Sequence, residues 1–585
     1  MITRAIHYFK QFDYPVSAQS LGLFRILYSL YLLGLIFQLY QSWPLYFDNI
    51  PGISISYFPA KLCLFLWSIA NVLLCFGLFT RYAAVANYLF TVLMAAYFTN
   101  INIGSFNDDL LRMGAFLLIV LPSNKCFAID TFVKKLTTLN HSKKTSYLYY
   151  LFAILVSIGF LYFGSGFTKL FSPLWQKGIG LWVPAVLPSY KWNGFHFFVD
   201  YKWLMYFLNY LVIAFELFFV VFLFHKKSHP YLAFIGIAFH IVITFLFPFV
   251  YLSLGPIVFY SLFLPASFWD WLLGKFQSKN KITIQFNPLK TKHQQGIELL
   301  KAIDLNNQFL FIENSQIHQF EHEKNIGFNR FIQALRNKIL LRPLIPILRS
   351  ISIKNLVYYI SENWLPQQLK TQTVQVTALH FKRFAFFTFI AALCFAQTLT
   401  LTYHTYTAIK ADKQKLAMYL KKRISIQDFS TKPSNLARTF FGINSRGVFL
   451  DHAFTGTKTV FALAYLNTDS TEKWLPVFNK EGFCESDNIG LPWHKLTFKY
   501  FGKSQTEPNR KGLEKYTWLW ASNNHISPTN ISIRVYRRIY NCPTEYEYGY
   551  LTKQIEMPWD TVGIIHWKDS VFIYQQLDKK ATFSQ

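Results

Sequence analysis

The chain has 585 residues, of which 52% are hydrophobic, 19% are aromatic and only 15% are charged. Soluble proteins carry nearer a quarter charged residues, so this composition excludes an ordinary soluble protein and indicates a polytopic membrane protein. The formal net charge is +28. Basic loops beside anionic lipid headgroups account for that charge, and no interleaved basic and aromatic motif or zinc-finger spacing indicates nucleic acid as a partner.

Apolar segments predict about eight membrane spans in the N-terminal half and one later span. A span requires about 20 apolar residues, which most of these segments approach, whereas 109–123 is short. The predicted spans are residues 21–41, 61–79, 82–99, 109–123, 146–168, 203–224, 230–248, 250–268 and 383–403.

The distribution of Lys and Arg predicts the orientation. The loops at 42–60 and 100–108 carry almost none, whereas the loops on the other side carry Arg81, then lysines 125, 134, 135, 143 and 144, and then Lys226 and Lys227. Because cytoplasmic loops are enriched in Lys and Arg, we expect the N-terminus and the 124–145 loop in the cytoplasm. The first segment has no compact signal-peptide pattern, so it is expected to be an uncleaved anchor. The expected location is a bacterial cytoplasmic (inner) membrane.

The chain beyond the eighth span divides into three regions. Residues 271–380 are basic, with strand-like alternation at 281–285 and helical spacing at 325–350, and they predict a small cytoplasmic α/β module. Residues 381–403 contain the last span, which crosses outward.

Residues 404–585 are therefore expected outside the cytoplasm. Strand-like runs at 459–465, 531–540 and 562–567, punctuated by turn residues, predict a β-rich domain. Cys484 and Cys542 lie in this domain, and in an oxidising compartment they are expected to form a disulfide. The other four cysteines lie in or beside apolar segments.

Lys169 is the strongest functional lead in the sequence. It ends an apolar segment that closes on FGSGFTK (residues 163–169), and Trp175 follows shortly after. A lysine held in an apolar site can act as a base near neutral pH. The other interpretation is an interfacial lysine whose amine reaches the headgroups.

Further polar residues lie at or inside the predicted spans. Asn107, Asp108 and Asp109 precede the 109–123 span on the side of Lys169, where they either pair with the lysine, hold a substrate or cap the helix. Glu216 and His240 lie within spans, and an ionisable residue there needs a partner. His240 is either functional or a neutral ring bonded to a backbone carbonyl.

Arg25 lies early in the first span, where pairing with headgroups or with a carboxylate is expected. The sequence contains no metal-ligand motif, P-loop, dinucleotide fingerprint or serine-hydrolase motif.

Several short segments occur in a recognisable order over about residues 15–270. They are LGLFRI (21–26), NDDLL (107–111), Tyr162 to Lys169 with Trp175 and Gly178, Phe239-His240, and FLP (263–265). In this order they resemble the HTTM superfamily, whose best-known members are the vitamin K-dependent γ-carboxylases.

That resemblance implies catalytic positions for Lys169, Asp108 and His240. In the carboxylases the corresponding lysine is the base that starts oxygenation of a reduced quinone, after which a glutamate side chain is deprotonated and carbon dioxide adds. The implied cofactor is therefore a reduced quinone. The carboxylases have a histidine where this chain has Asp108.

Residues 280–365 resemble a DCC-type thiol-disulfide oxidoreductase-like domain, chiefly through residues 340–360. That family carries an early CxxC motif, but residues 286–294 contain no cysteine. Dithiol exchange needs thiolates, so we expect this module to lack redox activity.

The sequence thus favours a membrane enzyme that uses a lipid-soluble quinol or similar substrate at an outward-facing site around Lys169, with γ-carboxylase-like activity as one form. The expected partners are membrane lipids and a protein or lipid-soluble small-molecule substrate. The alternative is a non-enzymatic scaffold or assembly factor that binds a partner through its external domain.

Overall fold

A computed structural model of the chain describes most of the two regions that concern function. The described residues are 11–41, 60–99, 106–139, 143–194, 196–248, 250–275, 282–286, 309–313, 384–385, 387–396, 438, 440–443, 454–467, 471–485, 510–527 and 530–577, with residues 289, 294, 297, 298, 301, 346, 370 and 371. The helix predicted at 325–350 lies outside these residues except for residue 346.

Helices make up most of the described chain up to residue 275. They are α1 (Gln19–Gln41), α2 (Ala60–Phe76), α3 (Thr80–Thr99), α4 (Phe106–Val120), α5 (Ile129–Thr137), α6 (Leu148–Leu170), α7 (Pro173–Gln176), α8 (Trp182–Ala185), α9 (Lys202–Leu223), α10 (His229–Leu246), α11 (Val250–Tyr260) and α12 (Ala266–Lys275). A later apolar helix, α13, covers Phe387–Ala396.

Four described helices are long and apolar enough to cross a membrane. They are Gln19–Gln41, Leu148–Leu170, Lys202–Leu223 and Lys226–Leu246. Three shorter apolar helices cover Lys61–Phe76, Ser253–Phe263 and Phe387–Ala396. Every predicted span thus coincides at least in part with a helix, but by length and composition only these four reach the criterion for a span.

Successive long helices run in alternate directions, so that the helix ends meet at two opposite ends of the bundle. At one site, the Arg25 end, the Arg25 guanidinium donates to Ser123 O at 2.7 Å and Ser20 Oγ donates to Leu264 O at 2.8 Å. The opposite site, the Lys169 end, holds Lys169 and the last turns of α6 and α10. These contacts place the N-terminus of α1 beside the C-terminal ends of α4 and α11.

The helix α6 lies in the centre of the bundle, and α9 and α10 lie at its margin. In the most apolar window of α6, 78% of residues are buried, against 33% for α9 and 28% for the Lys226–Leu246 helix. Large side chains of the marginal helices face outward, including Phe207, Phe218, Phe234 and Phe245. A continuous apolar surface of this kind suits contact with lipid.

Two local features of α6 shape its packing. Residues Leu155–Gly159 form a π-helical turn, which divides the α-helical segments Leu148–Ile154 and Phe160–Leu170. Beyond it, a Cβ at Gly166 would lie 2.9 Å from Glu216 Cβ on α9. Glycine is therefore required for the close approach of α6 and α9.

The strands before residue 400 are short. They are β1 (Pro15–Ser17), β2 (Thr138–Leu139), β3 (Lys144–Ser146), β4 (Ile282–Phe286), β5 (Phe309–Glu313) and β6 (Lys370–Thr371). The parallel pair of β4 and β5 includes the strand predicted at 281–285.

The C-terminal region contains a five-stranded antiparallel sheet in the order β11-β10-β9-β7-β8. Its elements are β7 (Thr457–Leu466), β8 (Glu472–Trp474), α14 (Arg510–Asn523), β9 (Asn530–Asn541), α15 (Tyr550–Glu556), β10 (Asp560–Lys568) and β11 (Val571–Gln576). The β-rich region and its three predicted strands are thereby confirmed. One face of the sheet is covered by α14, where Trp567 Nε1 donates to Thr517 Oγ1 at 3.0 Å.

Strand β9 and the loops beside the sheet contact the loop that joins α8 to α9 at the Lys169 end. Ser189 Oγ and Tyr540 OH lie 2.7 Å apart, and the Gly549 amide donates to Asp200 Oδ1 at 3.0 Å. The Cys484 amide donates to Lys191 O at 3.1 Å. The sheet and Lys169 therefore share one end of the bundle.

The predicted disulfide between Cys484 and Cys542 is not present. Cys484 lies in the loop after β8, and its amide donates to Lys191 O. Cys542 follows β9, and its amide donates to Gly456 O at 2.9 Å. Both thiols are buried, and burial raises the pKa of the Cys542 thiol. Each thiol occupies a separate packing position, which sequence alone could not specify.

A second connection joins the C-terminal half to the bundle through residues 438 and 440–443, which we call the docking segment. Arg438 Nε lies 3.2 Å from both carboxylate oxygens of Asp109, and Tyr88 OH donates to Phe440 O at 2.8 Å. Gly442 has a left-handed backbone with φ of 64°, and a Cβ there would overlap the Asp109 carbonyl oxygen.

Candidate active site

Lys169 forms a buried ion pair with Glu216, which projects from the middle of α9. The Lys169 ammonium donates to the two Glu216 carboxylate oxygens at 2.5 and 2.7 Å and to Ser165 Oγ at 3.0 Å. Lys169 is 2% exposed and Glu216 is 4% exposed. The amine therefore does not reach the headgroups, and its carboxylate partner is Glu216 and not Asp109, which pairs with Arg112 and Arg438.

Trp175 holds its ring against the lysine. Lys169 Nζ lies 4.7 Å from the Trp175 ring centroid, within the range of a cation–π interaction. Asn209 Nδ2 donates to Trp175 O at 3.0 Å, and Gly180 is required because a Cβ there would overlap the indole. Trp175 is 1% exposed, so it closes the site instead of lying at the headgroups as an interfacial tryptophan.

His240 belongs to a buried chain of hydrogen bonds with two tyrosines. His240 Nε2 lies 2.6 Å from Tyr162 OH, and Tyr260 OH donates to Tyr162 OH at 2.9 Å. The histidine partner is thus a hydroxyl and not the backbone carbonyl of the simpler interpretation. Gly236, one turn before His240, leaves the space that the Tyr260 hydroxyl fills.

A cavity of about 60 Å³ connects these groups. Water needs roughly 15 Å³ by this measure, so the cavity has room for about four water molecules or a small organic group. Apolar side chains form most of its wall, with few polar groups among them. The lining residues are Leu161, Tyr162, Ser165, Lys169, Trp175, Leu181, Val212, Glu216, Phe239, His240, Ile243, Phe247, Ser253 and Pro256.

The arrangement can exchange protons with a bound molecule. The Lys169 ammonium and Glu216 carboxylate are within hydrogen-bond distance, so a proton can lie on either group without leaving a net charge in the apolar surroundings. Either group then serves as acid or base toward an atom placed in the cavity. The Trp175 ring and the apolar wall limit the access of water.

Asp109 lies elsewhere at the Lys169 end and has a structural role. Its carboxylate accepts from Arg112 on the same helix and from Arg438 of the docking segment. Asn107 and Asp108 belong to the first turn of α4, which begins at Phe106, and their side chains lie outside the described residues. The catalytic position implied for Asp108 stays a prediction.

Arg25 lies at the opposite end of the bundle. Its fully buried guanidinium donates to the backbone carbonyl oxygens of Ser123 and Phe127 and reaches Cys126 O at 3.5 Å. These contacts fix the chain after α4. The expected pairing with headgroups or with a carboxylate is therefore wrong, because carbonyl oxygens left at helix ends accept from the two terminal nitrogens of the guanidinium.

Sequence reasoning missed four polar residues of the site. Ser165 precedes Lys169 by one helical turn, and that spacing predicts a contact on the same face. Tyr162 lies in the resembling segment but carried no charge to attract attention. Ser253 and Tyr260 on α11 gave no signal, because neither residue type is unusual in an apolar helix.

Among the residues that the structure describes, no group of three or more His, Cys, Asp or Glu side chains is placed to hold a metal ion. In comparisons with known proteins, no family model, no curated protein and no solved structure matches the chain.

Proposed function

We propose that this protein is a membrane enzyme that transfers a proton to or from a lipid-soluble substrate in the cavity at Lys169. The observation that carries the proposal is the Lys169–Glu216 pair, buried against an apolar cavity of about 60 Å³. A scaffold needs no acid–base pair beside a cavity, so this geometry favours an enzyme. Apolar walls with a few convergent polar groups are typical of small-molecule sites.

The substrate that we favour is a quinol or a similar lipid-soluble compound, in keeping with the HTTM-like order of motifs. A reduced quinone would supply an acidic hydroxyl for the proton transfer. A cavity that admits benzene measures about 150 Å³, so a whole ring would require movement of a wall residue such as Trp175 or Phe239. A γ-carboxylase-like reaction is one form of this proposal.

Four residues of the site have distinct roles in the proposed reaction. Lys169 exchanges the proton with the substrate, and Glu216 holds the amine in place and balances its charge. Ser165 fixes the amine from the preceding turn, and Trp175 excludes water. Loss of a general base lowers rates by about 100- to 10,000-fold.

We further propose that eight helices of the bundle cross the membrane and that α13 (Phe387–Ala396) crosses it once more, which leaves the C-terminal sheet outside the cytoplasm. The alternating direction of α1, α2, α3, α4, α6, α9, α10 and α11 supports this topology. The basic loops at the Arg25 end support a cytoplasmic location for that end, in a bacterial inner membrane.

The test compares the wild type with the double variant Lys169→Met/Glu216→Met, which removes both charges and leaves neither unpaired. Membranes that contain each protein are supplied with reduced decylubiquinone, and oxygen uptake and lipid extracts are compared. We expect a substrate-derived product with the wild type and a loss of at least about 100-fold with the variant.

A variant with normal abundance and thermal stability that forms the product at the wild-type rate would contradict the proposal. So would identical lipid extracts and oxygen uptake for the wild type and the variant.

A further inference from the structure

Two residues that line the cavity each have one buried polar atom without a hydrogen-bond partner among the described residues: His240 Nδ1 and Ser253 Oγ. His240 is 7% exposed and Ser253 is fully buried. Buried polar groups in proteins are almost always hydrogen-bonded, and an exception at a cavity indicates a bound molecule. These two atoms lie on α10 and α11, whereas the Lys169–Glu216 pair lies on α6 and α9.

The hydrogen-bond chain determines which His240 nitrogen carries the proton. Tyr260 OH donates to the Tyr162 oxygen at 2.9 Å, so the single Tyr162 proton is available for His240 Nε2 at 2.6 Å. Nε2 is then an acceptor. A neutral imidazole with an accepting Nε2 carries its proton on Nδ1. The hydrogen-bond partners thus place the proton of His240 on Nδ1.

We propose that His240 Nδ1–H and the Ser253 hydroxyl donate to a carbonyl oxygen of the lipid-soluble substrate. The inference rests on the proposed function and specifies the form of the compound that this wall of the cavity binds: one with a carbonyl group on an apolar body, as in the oxidised quinone and not the quinol. An unpartnered donor on a residue that lines the cavity selects an acceptor oxygen, and the apolar wall accommodates the adjoining carbon atoms. The volume of about 60 Å³ suits a carbonyl group with one or two neighbouring carbons.

The test uses the full chain in lipid nanodiscs and the probe 2-undecanone with a carbon-13 carbonyl. Its matched control is 2-methyl-1-undecene, which replaces the oxygen by a methylene group. We expect a bound carbonyl band at lowered stretching frequency in infrared difference spectra. The ketone should also bind about 10-fold more tightly than the alkene, as expected for one hydrogen bond that would otherwise be unmade.

Two substitutions at His240 separate its two nitrogens. In His240→Asn the short amide places its NH₂ near the position of Nδ1, so the shifted band should persist. In His240→Gln the longer amide reaches the position of Nε2 and leaves Ser253 as the remaining donor, so the shift of the band and the ketone preference should both decrease. Tyr162→Phe retains the histidine but removes the proton given to Nε2, so the band should weaken.

An unshifted band in the wild type, or an equally shifted band in His240→Gln, would overturn the inference. Equal binding of ketone and alkene would do the same, because the orphan atoms would then hold only water. The variant Lys169→Met/Glu216→Met should keep the shifted band. If this variant loses product formation and keeps the shifted band, the two sites act separately. The proton-transfer proposal and the carbonyl proposal can then fail independently.

Discussion

Lys169 and Glu216 form a pair whose members depend on each other for stability. Lys169→Met alone leaves the Glu216 carboxylate buried without a cation, and we expect it to lower the free energy of unfolding by about 3 to 5 kcal/mol. Lys169→Met/Glu216→Met should recover most of that loss, since apolar replacement of a buried pair is often neutral. Thermal unfolding of the wild type, both single variants and the double variant measures the coupling.

Additive effects of the two single substitutions would show that the residues do not form a pair in solution. An interfacial lysine without a buried partner could be replaced by methionine with little effect on folding. The buried partner changes that expectation, because only the double variant separates catalysis from stability.

The burial of Lys191 predicts that the stability of the protein depends on pH. Burial lowers the pKa of Lys191 to about 8, while Asp200 acts in the opposite direction. Between pH 8 and about 10.5 the unfolded chain binds more protons than the folded chain, so stability should rise with pH across this window. Lys191→Met should remove the rise and increase stability at pH 7 by on the order of 3 kcal/mol.

Denaturant unfolding followed by tryptophan fluorescence at pH 7, 8, 9 and 10 checks this prediction. Lys568→Met, on an exposed strand end, is the matched control and should follow the wild type. Parallel pH profiles for the wild type and Lys191→Met would contradict the assigned role of burial.

At the scale of residues, the sequence revealed candidates but not their partners. Lys169 was recognisable as a single amine in a glycine-rich apolar segment, and Ser165 follows from helical spacing. Glu216 was named, yet it lies 47 residues from Lys169, and Asp109 offered an equally plausible carboxylate. Only packing of α6 against α9 through Gly166 decides between them.

Among the elements, the docking segment yields a prediction about one glycine. In Gly442→Ala the new Cβ would overlap the Asp109 carbonyl oxygen, in addition to the strain of a left-handed backbone. Gly456→Ala carries similar strain, with φ of 72°, but its Cβ meets nothing within 4 Å. We expect Gly456→Ala to cost about 1 kcal/mol and Gly442→Ala to cost clearly more.

Limited proteolysis and thermal unfolding of the two variants measure the difference. An equal effect of both substitutions would mean that the left-handed backbone alone matters and that the docking segment does not press against α4.

The sequence predicted the elements with regular patterns and missed those without them. β7, β9 and β10 extend one or two residues beyond each end of the predicted runs, since alternation fades at strand ends. β8 has three residues and is too short to show a pattern. Among the described helices, four reach the criterion for crossing a membrane, whereas the apolar helices Lys61–Phe76, Ser253–Phe263 and Phe387–Ala396 do not reach its length.

For the whole molecule, the proposed topology predicts from which side of the membrane the Arg25 end and the C-terminal region are accessible. Lys143 lies at the Arg25 end and Ser522 lies on α14 of the C-terminal region, and both are exposed. In intact cells a membrane-impermeant maleimide should label Ser522→Cys, and it should label Lys143→Cys only after permeabilisation. The wild type provides the background from its native cysteines.

Labelling of both positions under the same condition would sink the proposed topology. The orientation is a prediction from the charge of the loops. Composition could not predict that the sheet rests on the loop between α8 and α9, because that contact depends on tertiary packing of distant segments such as Ser189 and Tyr540.

The π-helical turn at Leu155–Gly159 sets the rotational phase of everything that follows it in α6. Such a turn behaves like a single residue inserted into an α-helix, and each residue of an α-helix corresponds to a rotation of about 100°. Deleting one residue there would restore a regular helix and rotate Lys169 away from Glu216 by about that angle. The Cys394 thiol, which lies 3.9 Å from Val156 O, contacts a carbonyl of this turn. The direction in which the lysine points is thus encoded by chain length three turns before the lysine itself.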